Sequence, residues 1–237
     1  MRVAILSDIH GNIRALDAVL GDLEERGPFD HLVIAGDLCV FGPRPKEVVD
    51  RLREIPCEIV QGNTDLWLVD PESMPAGDRS TSETVAWTRD RLEKEDLSLL
   101  QGLGFSYEVT PVRGHDLLVV HANPHDLVAP IYPDTDIGEL TRLTENVVAE
   151  VLAFGHVHIA FVRKVGGLTL VDVGSVGMPR DGDSRASYAA LEWDGNSWHI
   201  AHHRVEYDLD GTAEQMRKGR MPHAKQRIKI LREASYS

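Results

Sequence analysis

The chain has few cysteines and no long apolar run. Cys39 and Cys57 are the only cysteines among its 237 residues, and they form neither a CxxC pair nor a disulfide framework. We therefore expect a cytoplasmic protein of a reducing compartment. Apolar runs such as residues 3–6 are far shorter than the ~20 residues that cross a bilayer, so no membrane partner is expected. A secretory signal is not expected either, because Asp8 and His10 follow this run almost at once.

Positive charge is also scarce. The chain has 25 Lys and Arg against 38 Asp and Glu, which gives a formal net charge of −13. Because such a surface repels a phosphate backbone, we do not expect long nucleic acid as a partner. The exception is the segment 211–237, which has seven basic and two acidic residues. A phosphate bound elsewhere on the chain needs local positive charge, and metal ions can supply it.

Short buried strands alternate with amphipathic helices in the first 63 residues, an order typical of a parallel α/β core. The predicted strands cover residues 2–7, 31–35 and 58–60, and the helices begin at Ile13 and Pro45. Residues 64–80 are rich in Pro, Ser, Asp and Gly and are predicted to form a surface loop. Residues 82–100 are predicted to form one charged amphipathic helix.

The second half of the chain predicts short strands joined by tight turns, mostly antiparallel. These strands cover residues 117–120, 151–154, 159–165, 168–173, 186–193 and 199–205. Residues 138–150 are predicted to form a helix, and Ile228 and Leu231 share one face of a basic C-terminal helix. We expect that helix to pack on its own chain or on a second subunit of a homo-oligomer.

Polar side chains follow five of the predicted strands. The set is Asp8, His10, Asp37, Asn63, His121, His156 and His158. Because the carboxyl ends of parallel strands meet at one edge of a sheet, we expect these groups to lie close together. Each alone is a common turn or capping residue. Together they offer more nitrogen and oxygen ligands than one metal ion takes, which favours a site for two.

The order Asp-x-His, Gly-Asp, Gly-Asn, a lone His and Gly-His-x-His resembles the calcineurin-like metallophosphoesterase superfamily. Within it, Ser-Asp-Ile-His-Gly-Asn at 7–12 and the segment 174–183 resemble the small bacterial and archaeal branch of phosphodiesterase-like and diadenosine-tetraphosphatase-like proteins. The resemblance implies an α/β fold of mixed α+β type, a four-layer αββα sandwich of two mixed β-sheets flanked by helices. We expect one metallophosphoesterase domain over residues 1–210 and a basic C-terminal helical extension over 211–237.

The resemblance also implies two divalent metal ions, with Mn preferred over Fe or Zn. It assigns one ion to Asp8, His10, Asp37 and His158, and the other to Asp37, Asn63, His121 and His156. The implied activity is hydrolysis of phosphodiester or nucleotide polyphosphate bonds in small substrates, by attack of a hydroxide that bridges the ions on phosphorus. Asp37, Asn63 and His121 are its predicted catalytic residues.

One position departs from the family pattern. Many members have a His after the Gly-Asn motif that helps to protonate the leaving group, and here the residue is Thr64. Because a hydroxyl is a poor acid, we expect either another proton donor, such as His125 or metal-bound water, or a substrate with a good leaving group. Nucleotide and phosphoanhydride leaving groups meet the second condition.

Three side chains are predicted substrate contacts: Asn12, His125 and Arg180. Asn12 could equally cap the helix that begins at Ile13. Arg180 could clamp a phosphate or form ion pairs with the acidic residues that follow it. Two other functions stay open on the sequence alone: a protein (Ser/Thr) phosphatase, and a non-catalytic scaffold with the metallophosphoesterase fold.

Overall fold

Two five-stranded mixed β-sheets pack face to face in the computed structural model, which describes residues 1–235. The first sheet has the order β10 (Trp198–Val205), β9 (Ala186–Trp193), β1 (Arg2–Leu6), β2 (His31–Ile34) and β3 (Glu58–Ile59). The second has the order β4 (Ser106–Val109), β5 (Leu117–Val120), β6 (Val151–Phe154), β8 (Leu168–Asp172) and β7 (Phe161–Val165).

Helices cover the outer faces of both sheets. Those in residues 1–235 are α1 (Ile13–Arg26), α2 (Pro45–Arg53), α3 (Asn63–Val69), α4 (Arg79–Arg89), α5 (Lys94–Gln101), α6 (Ile137–Leu143), α7 (Leu209–Lys218) and α8 (Ala224–Glu233), with a 3₁₀ turn at Pro71–Ser73. None of these helices is both long enough and apolar enough to cross a membrane.

Successive residues of the central strands face opposite sides of their sheet and therefore belong to different hydrophobic cores. Val3 and Ile5 of β1 face the second sheet, whereas Ala4 and Leu6 pack against the helices on the other side. Both faces of β1 are therefore buried, which explains its continuous apolar run. In the second sheet, residues such as Val119 lie between the sheets and others pack under α6. The predicted αββα sandwich is confirmed.

Several details of the prediction were wrong. Most strand pairs of the second half are antiparallel as predicted, but β5, β6 and β8 run parallel to one another; the chain between β5 and β6 is a crossover through α6. Residues 64–69 belong to helix α3 instead of a surface loop. The single helix over 82–100 is two helices, α4 and α5, and the helix over 138–150 ends at Leu143. The hairpins β7–β8 and β9–β10 are present as predicted.

The C-terminal helices pack on the body of the same chain. Met216 of α7 and Ile228 and Leu231 of α8 are buried in a cluster with Trp87 of α4. The apolar face predicted for the C-terminal helix is thus covered within one chain. Association of two chains through this helix, and the domain boundary at residue 210, stay predictions.

Candidate metal centre

The seven predicted ligands lie beyond the carboxyl ends of parallel strands, six of them on loops and Asn63 at the first position of α3. Asp8 and His10 follow β1, and Asp37 and Asn63 follow β2 and β3. The other three follow strands of the second sheet: His121 after β5, and His156 and His158 after β6. His156 is half-buried and the other six are buried. The facing sheets therefore bring all seven to one place, between their edges.

The backbone of this region is strained. Five of the seven residues have left-handed φ angles: Asp8 (55°), His10 (49°), Asp37 (59°), His156 (72°) and His158 (61°). Non-glycine residues rarely adopt this conformation, which costs about 1–3 kcal/mol at each such site. Strain concentrated on one set of polar side chains indicates that their placement serves a function.

Two glycines allow the loops to approach one another. A Cβ on Gly62 would lie 2.2 Å from Asp37 Oδ1, and one on Gly155 would lie 2.4 Å from Asp8 Oδ2. Both distances are far below a carbon–oxygen contact. Only glycine therefore lets the Gly-Asn and Gly-His turns pack against the two carboxylates.

The first cluster contains Asp8, His10 and His158. Nδ1 of His10 donates to the carbonyl of Val40 at 2.8 Å, and Nδ1 of His158 donates to that of Met178 at 2.7 Å. A carbonyl oxygen only accepts, so each Nδ1 carries the proton and each Nε2 presents a lone pair in the neutral ring. The two Nε2 atoms are 3.1 Å apart, and Asp8 Oδ1 lies 3.1 Å from that of His158.

With both rings neutral, His10 Nε2, His158 Nε2 and Asp8 Oδ1 carry no proton and cannot donate hydrogen bonds to one another. Asp8 Oδ1 is buried and has no hydrogen-bond partner within the described residues, whereas its Oδ2 accepts the amide of His156 at 2.9 Å. Burial raises the pKa of Asp8, but His158 and His10 outweigh it and hold that pKa well below its usual range. Burial also lowers the pKa of His10, which favours the neutral, metal-binding ring. Two lone pairs and a carboxylate oxygen converging on one point fit a cation.

The second cluster contains Asn63, His121 and His156. Nδ1 of His121 donates to the carbonyl of Ala35 at 2.7 Å, and Nε2 of His156 donates to that of Val128 at 3.0 Å. The remaining ring nitrogens, which carry lone pairs in the neutral rings, are 3.3 Å apart. They lie 2.9 and 3.1 Å from Asn63 Oδ1. This cluster also presents nitrogen and oxygen lone pairs to one point.

The pKa values of the two imidazole rings in the second cluster shift in opposite directions. Burial and the neighbouring His121 lower the pKa of His156 to about 4. Burial also acts to lower the pKa of His121, but Asp37 and Asp8 outweigh it and raise that pKa above its usual value. The carboxylates thus attract positive charge to the space that His121 faces.

Asp37 lies between the two clusters. Its Oδ2 is 3.8 Å from His10 Nε2, and its Oδ1 is 3.6 Å from His121 Nε2 and accepts the Thr64 amide at 2.9 Å. Candidate ligand atoms of Asp8, Asp37 and His121 all lie within 4.8 Å of one another. One carboxylate facing both groups has the geometry needed to bridge two cations.

Asp65 supports the centre and was not predicted. Its carboxylate accepts the amides of Asp37 at 2.8 Å, Leu38 at 2.9 Å and Gly62 at 3.0 Å, which fixes the backbone on either side of the bridging residue. Burial and the charge of Asp37 raise the pKa of Asp65 to about 7. The signal in the sequence was an acidic residue in the first turn of a helix, because Asp65 is the third residue of α3 and accepts the amide of Gly62, which precedes that helix.

Asn123 was also missed. It is buried and holds its loop through four side-chain bonds, to the carbonyl of Ala129 at 2.8 Å, the carboxylate of Asp126 at 3.1 Å and the amides of His125 at 2.8 Å and Asp126 at 3.0 Å. This loop carries the Val128 carbonyl that orients His156. The Asn-Pro pair, a turn signal, could have indicated its role.

The side chain of Asn12 is committed to the protein. Its Oδ1 accepts the Ala15 amide at 3.3 Å and the Thr212 hydroxyl at 3.1 Å, and its Nδ2 donates to the Gly177 carbonyl at 3.0 Å. Asn12 therefore caps α1, the alternative that the sequence left open. Its contact with substrate stays a prediction.

His125 and Arg180 lie on different loops. The His125 side chain is exposed on the loop that Asn123 holds. The Arg180 amide donates to the His158 carbonyl at 3.0 Å, and its Nη1 donates to the Ser235 carbonyl at 2.9 Å. The acids that follow it, Asp181 and Asp183, pair with Arg204 and Arg185. Substrate contacts of His125 and Arg180 stay predictions.

Comparison with known proteins gives consistent matches. A family model described as the calcineurin-like phosphoesterase superfamily domain matches residues 1–196. Uncharacterized protein MJ0912 of Methanocaldococcus jannaschii is 30% identical over 239 residues, 93% of each chain. Phosphodiesterase YfcE of Escherichia coli is 28% identical over 204 residues, 82% of this chain and 89% of that one. A crystal structure of a metallophosphoesterase from Sphaerobacter thermophilus aligns with a TM-score of 0.79, 29% identity and 99% coverage of both chains.

Proposed function

The chain belongs to the calcineurin-like phosphoesterase superfamily and is a metal-dependent phosphoesterase, and from this premise we propose that it is a two-metal enzyme that hydrolyses phosphodiester or nucleotide polyphosphate bonds of small substrates. The observation that carries the proposal is the pair of clusters whose unprotonated nitrogens and oxygens converge on two points, with Asp37 facing both.

The proposed ligands are those that the sequence indicated. One ion would be held by Asp8, His10, Asp37 and His158, and the other by Asp37, Asn63, His121 and His156. Imidazole combined with carboxylate and amide oxygens suits Mn, Fe or Zn better than Ca or Mg, and we propose Mn as the first choice. When bound, such ions act as Lewis acids, which polarise phosphoryl oxygens and lower the pKa of water towards ~7.

The protein's own groups hold this arrangement before any substrate binds. Four backbone carbonyls fix the imidazole rings, so no ring has to rotate or change tautomer. Asp65 fixes the backbone at the bridging Asp37. Rigid placement of this kind lowers the free energy needed to order the site during the reaction.

Thr64 supports a substrate with a good leaving group. Its side chain is buried, and its Oγ1 has no hydrogen-bond partner in the described part of the chain. A hydroxyl is too weak an acid to protonate an alkoxide, so nucleotide and phosphoanhydride leaving groups are favoured. The relative YfcE is a phosphodiesterase, which supports the diester half of the proposal. The two free cysteines support a cytoplasmic location.

The test is a substrate panel on metal-stripped protein reloaded with Mn, Fe, Zn or Mg in parallel. The panel contains bis(p-nitrophenyl) phosphate, cyclic nucleotides, dinucleoside polyphosphates and a phosphopeptide. We expect metal-dependent turnover of diesters or polyphosphates. Absence of turnover on every substrate, or a clear preference for the phosphopeptide, contradicts the proposal.

Asp37→Asn tests the bridging carboxylate within the same panel. An amide nitrogen cannot ligate a cation, so we expect the variant to lose about 10³-fold or more in turnover, beyond the 10- to 100-fold typical of outer-sphere changes. Metal content per chain, measured by mass spectrometry, should fall too. Asp90→Asn, an exposed residue at the end of α4, is the matched control and should keep both. Near-normal turnover by the Asp37 variant refutes the assigned site.

A further inference from the structure

The imidazole of His10 is in contact with two other rings. The ring of Phe41 lies 5.5 Å from it, centre to centre, at an interplanar angle of 49°, and the ring of His158 lies 4.8 Å from it. The carbonyl of Val40 accepts the proton of His10 Nδ1 at 2.8 Å. One hydrogen bond at Nδ1 does not by itself fix the plane of the imidazole, so contact with the neighbouring rings contributes to the position of Nε2.

The loop that carries Phe41 is held tightly against the loop that carries His10. The Gly11 amide donates to the Leu38 carbonyl at 2.8 Å, and a Cβ on Gly42 would lie 1.8 Å from the His10 carbonyl oxygen. Phe41 has a φ of 80°, a conformation that a bulky residue adopts only when its surroundings enforce it. The strained backbone thus holds an aromatic ring against a proposed metal ligand.

Arg227 of helix α8 covers the Phe41 ring. Its guanidinium carbon lies 4.1 Å from the centre of that ring, within the ~6 Å range of a cation–π contact. Arg227 Nε is buried and has no hydrogen-bond partner in the described part of the chain. The guanidinium is therefore held by contact with the ring and not by a hydrogen bond at this atom.

Helix α8 is firmly docked, although it lies beyond residue 196, where the family match ends. Ile228 and Leu231 are buried in the cluster that α8 shares with α7 and Trp87. At the end of the helix the carbonyl of Ala234 accepts the Gly182 amide at 2.9 Å. The position of Arg227 over Phe41 thus follows from the docking of the whole helix.

We propose that Phe41 is a positioning residue of the first metal ion, because it holds the His10 ring in place, and that Arg227 in turn holds Phe41. The affinity of this ion then depends on a helix outside the family domain. No ring of the second cluster contacts Phe41 within residues 1–235, so the effect is specific to one ion. The inference rests on the proposed function, which supplies the two ions.

The test titrates Mn into metal-stripped protein by calorimetry, which gives the number of ions per chain and their affinities. Phe41→Leu removes the ring and keeps an apolar side chain, so one ion should bind roughly 10- to 100-fold more weakly and the other as in wild type. In a His10→Ala background, which removes a ligand of the first ion, Phe41→Leu should leave the remaining affinity unchanged. Phe41→Tyr keeps the ring and should bind both ions normally, as should the control Phe105→Leu, which removes an exposed ring.

Arg227 is tested in the same titration. Arg227→Met removes the charge, so the same ion should bind roughly 2- to 30-fold more weakly, the equivalent of one cation–π contact. Because Arg227 acts through the ring, Phe41→Leu combined with Arg227→Met should bind this ion no more weakly than Phe41→Leu alone. Arg227→Lys should recover part of the loss. Lys225→Met, which removes the charge of an exposed residue on the same helix, should leave both affinities unchanged.

The possible failures of this inference are distinct from those of the proposed function. Unchanged affinities in Phe41→Leu refute the role of Phe41, and additive losses in the combined variant refute the route from Arg227 through the ring. A parallel loss of both ions with a lower melting temperature assigns these residues to packing and also refutes the inference. A wild-type protein that binds two Mn ions but hydrolyses nothing refutes the function, while the titration still decides the roles of Phe41 and Arg227. A wild-type protein that binds fewer than two Mn ions refutes both.

Discussion

Replacing Gly155 by alanine should disable the centre by a purely steric route. The new Cβ would lie 2.1 Å from Ser7 Oγ and 2.4 Å from Asp8 Oδ2, so atoms have to move. Gly155 does not have a left-handed φ, and alanine therefore brings no backbone penalty of its own. The substitution tests one idea only, that the Gly-His turn must touch the loop after β1.

The neighbours of Gly155 cannot move freely. Ser7 Oγ donates to the Ala35 carbonyl at 3.0 Å, and Asp8 Oδ2 accepts the His156 amide at 2.9 Å. Overpacking of this kind costs about 1–3 kcal/mol, which for a protein of this size lowers Tm by roughly 2–12 °C. Displacing Asp8 and His156 by about 1 Å should reduce turnover by ~10²-fold.

Gly21→Ala is the matched control. Gly21 lies in α1, where a Cβ would meet no atom within 4 Å, so alanine should raise the free energy of unfolding by ~0.4–1 kcal/mol and leave turnover unchanged. Calorimetry gives Tm, and turnover of bis(p-nitrophenyl) phosphate with Mn gives activity. If Gly155→Ala matches wild type in both, the close contact between the two loops does not exist in the protein and the reasoning fails.

Two further predictions concern groups around the centre. Asn123→Ala removes the bonds that hold the loop carrying the Val128 carbonyl, which orients His156. We therefore expect the affinity for Mn to fall about 10- to 100-fold in a calorimetric titration. An unchanged affinity would show that His156 needs no such support. Burial lowers the pKa of His202 below 6.5, so the unfolded chain binds its proton at a higher pH than the folded protein does. The free energy of unfolding should therefore fall as pH drops below about 6.5. When this free energy is measured by urea titration at several pH values, His202→Gln should make its dependence on pH shallower. The same pH dependence in variant and wild type would contradict the assignment.

Local signals made most of the sandwich predictable. The buried strand β1 and the tight turns that join β7 to β8 and β9 to β10 were visible in short windows of sequence. The ligand set was predictable for a different reason. Residues such as Asp37 and His121 stand directly after apolar runs, and parallel strands bring those positions together whatever the loops do.

What could not be predicted depends on contacts between distant segments. Residues 64–69 form α3 because Leu68 is buried in the core, and their local composition does not indicate this. Strand β4 forms by antiparallel pairing with β5, and its own sequence has little apolar character. Arg227 reaches Phe41 only through the docking of α8, which involves residues far apart in the chain. No pattern in a single window reports such a contact.

The centre is also arranged against local preferences, which gives its geometry functional meaning. Residues such as Asp8 and Asp37 have left-handed φ angles, and the lone pairs of His10 and His158 are held 3.1 Å apart. Each of these features costs free energy that the surrounding fold must supply. A protein selected for stability alone would relax both, by turning the rings or by forming hydrogen bonds to the carboxylates. The carbonyls that fix each Nδ1 prevent the rings from turning. A cation held by the lone pairs of His10 and His158 would turn this repulsion into attraction and would therefore stabilise the arrangement.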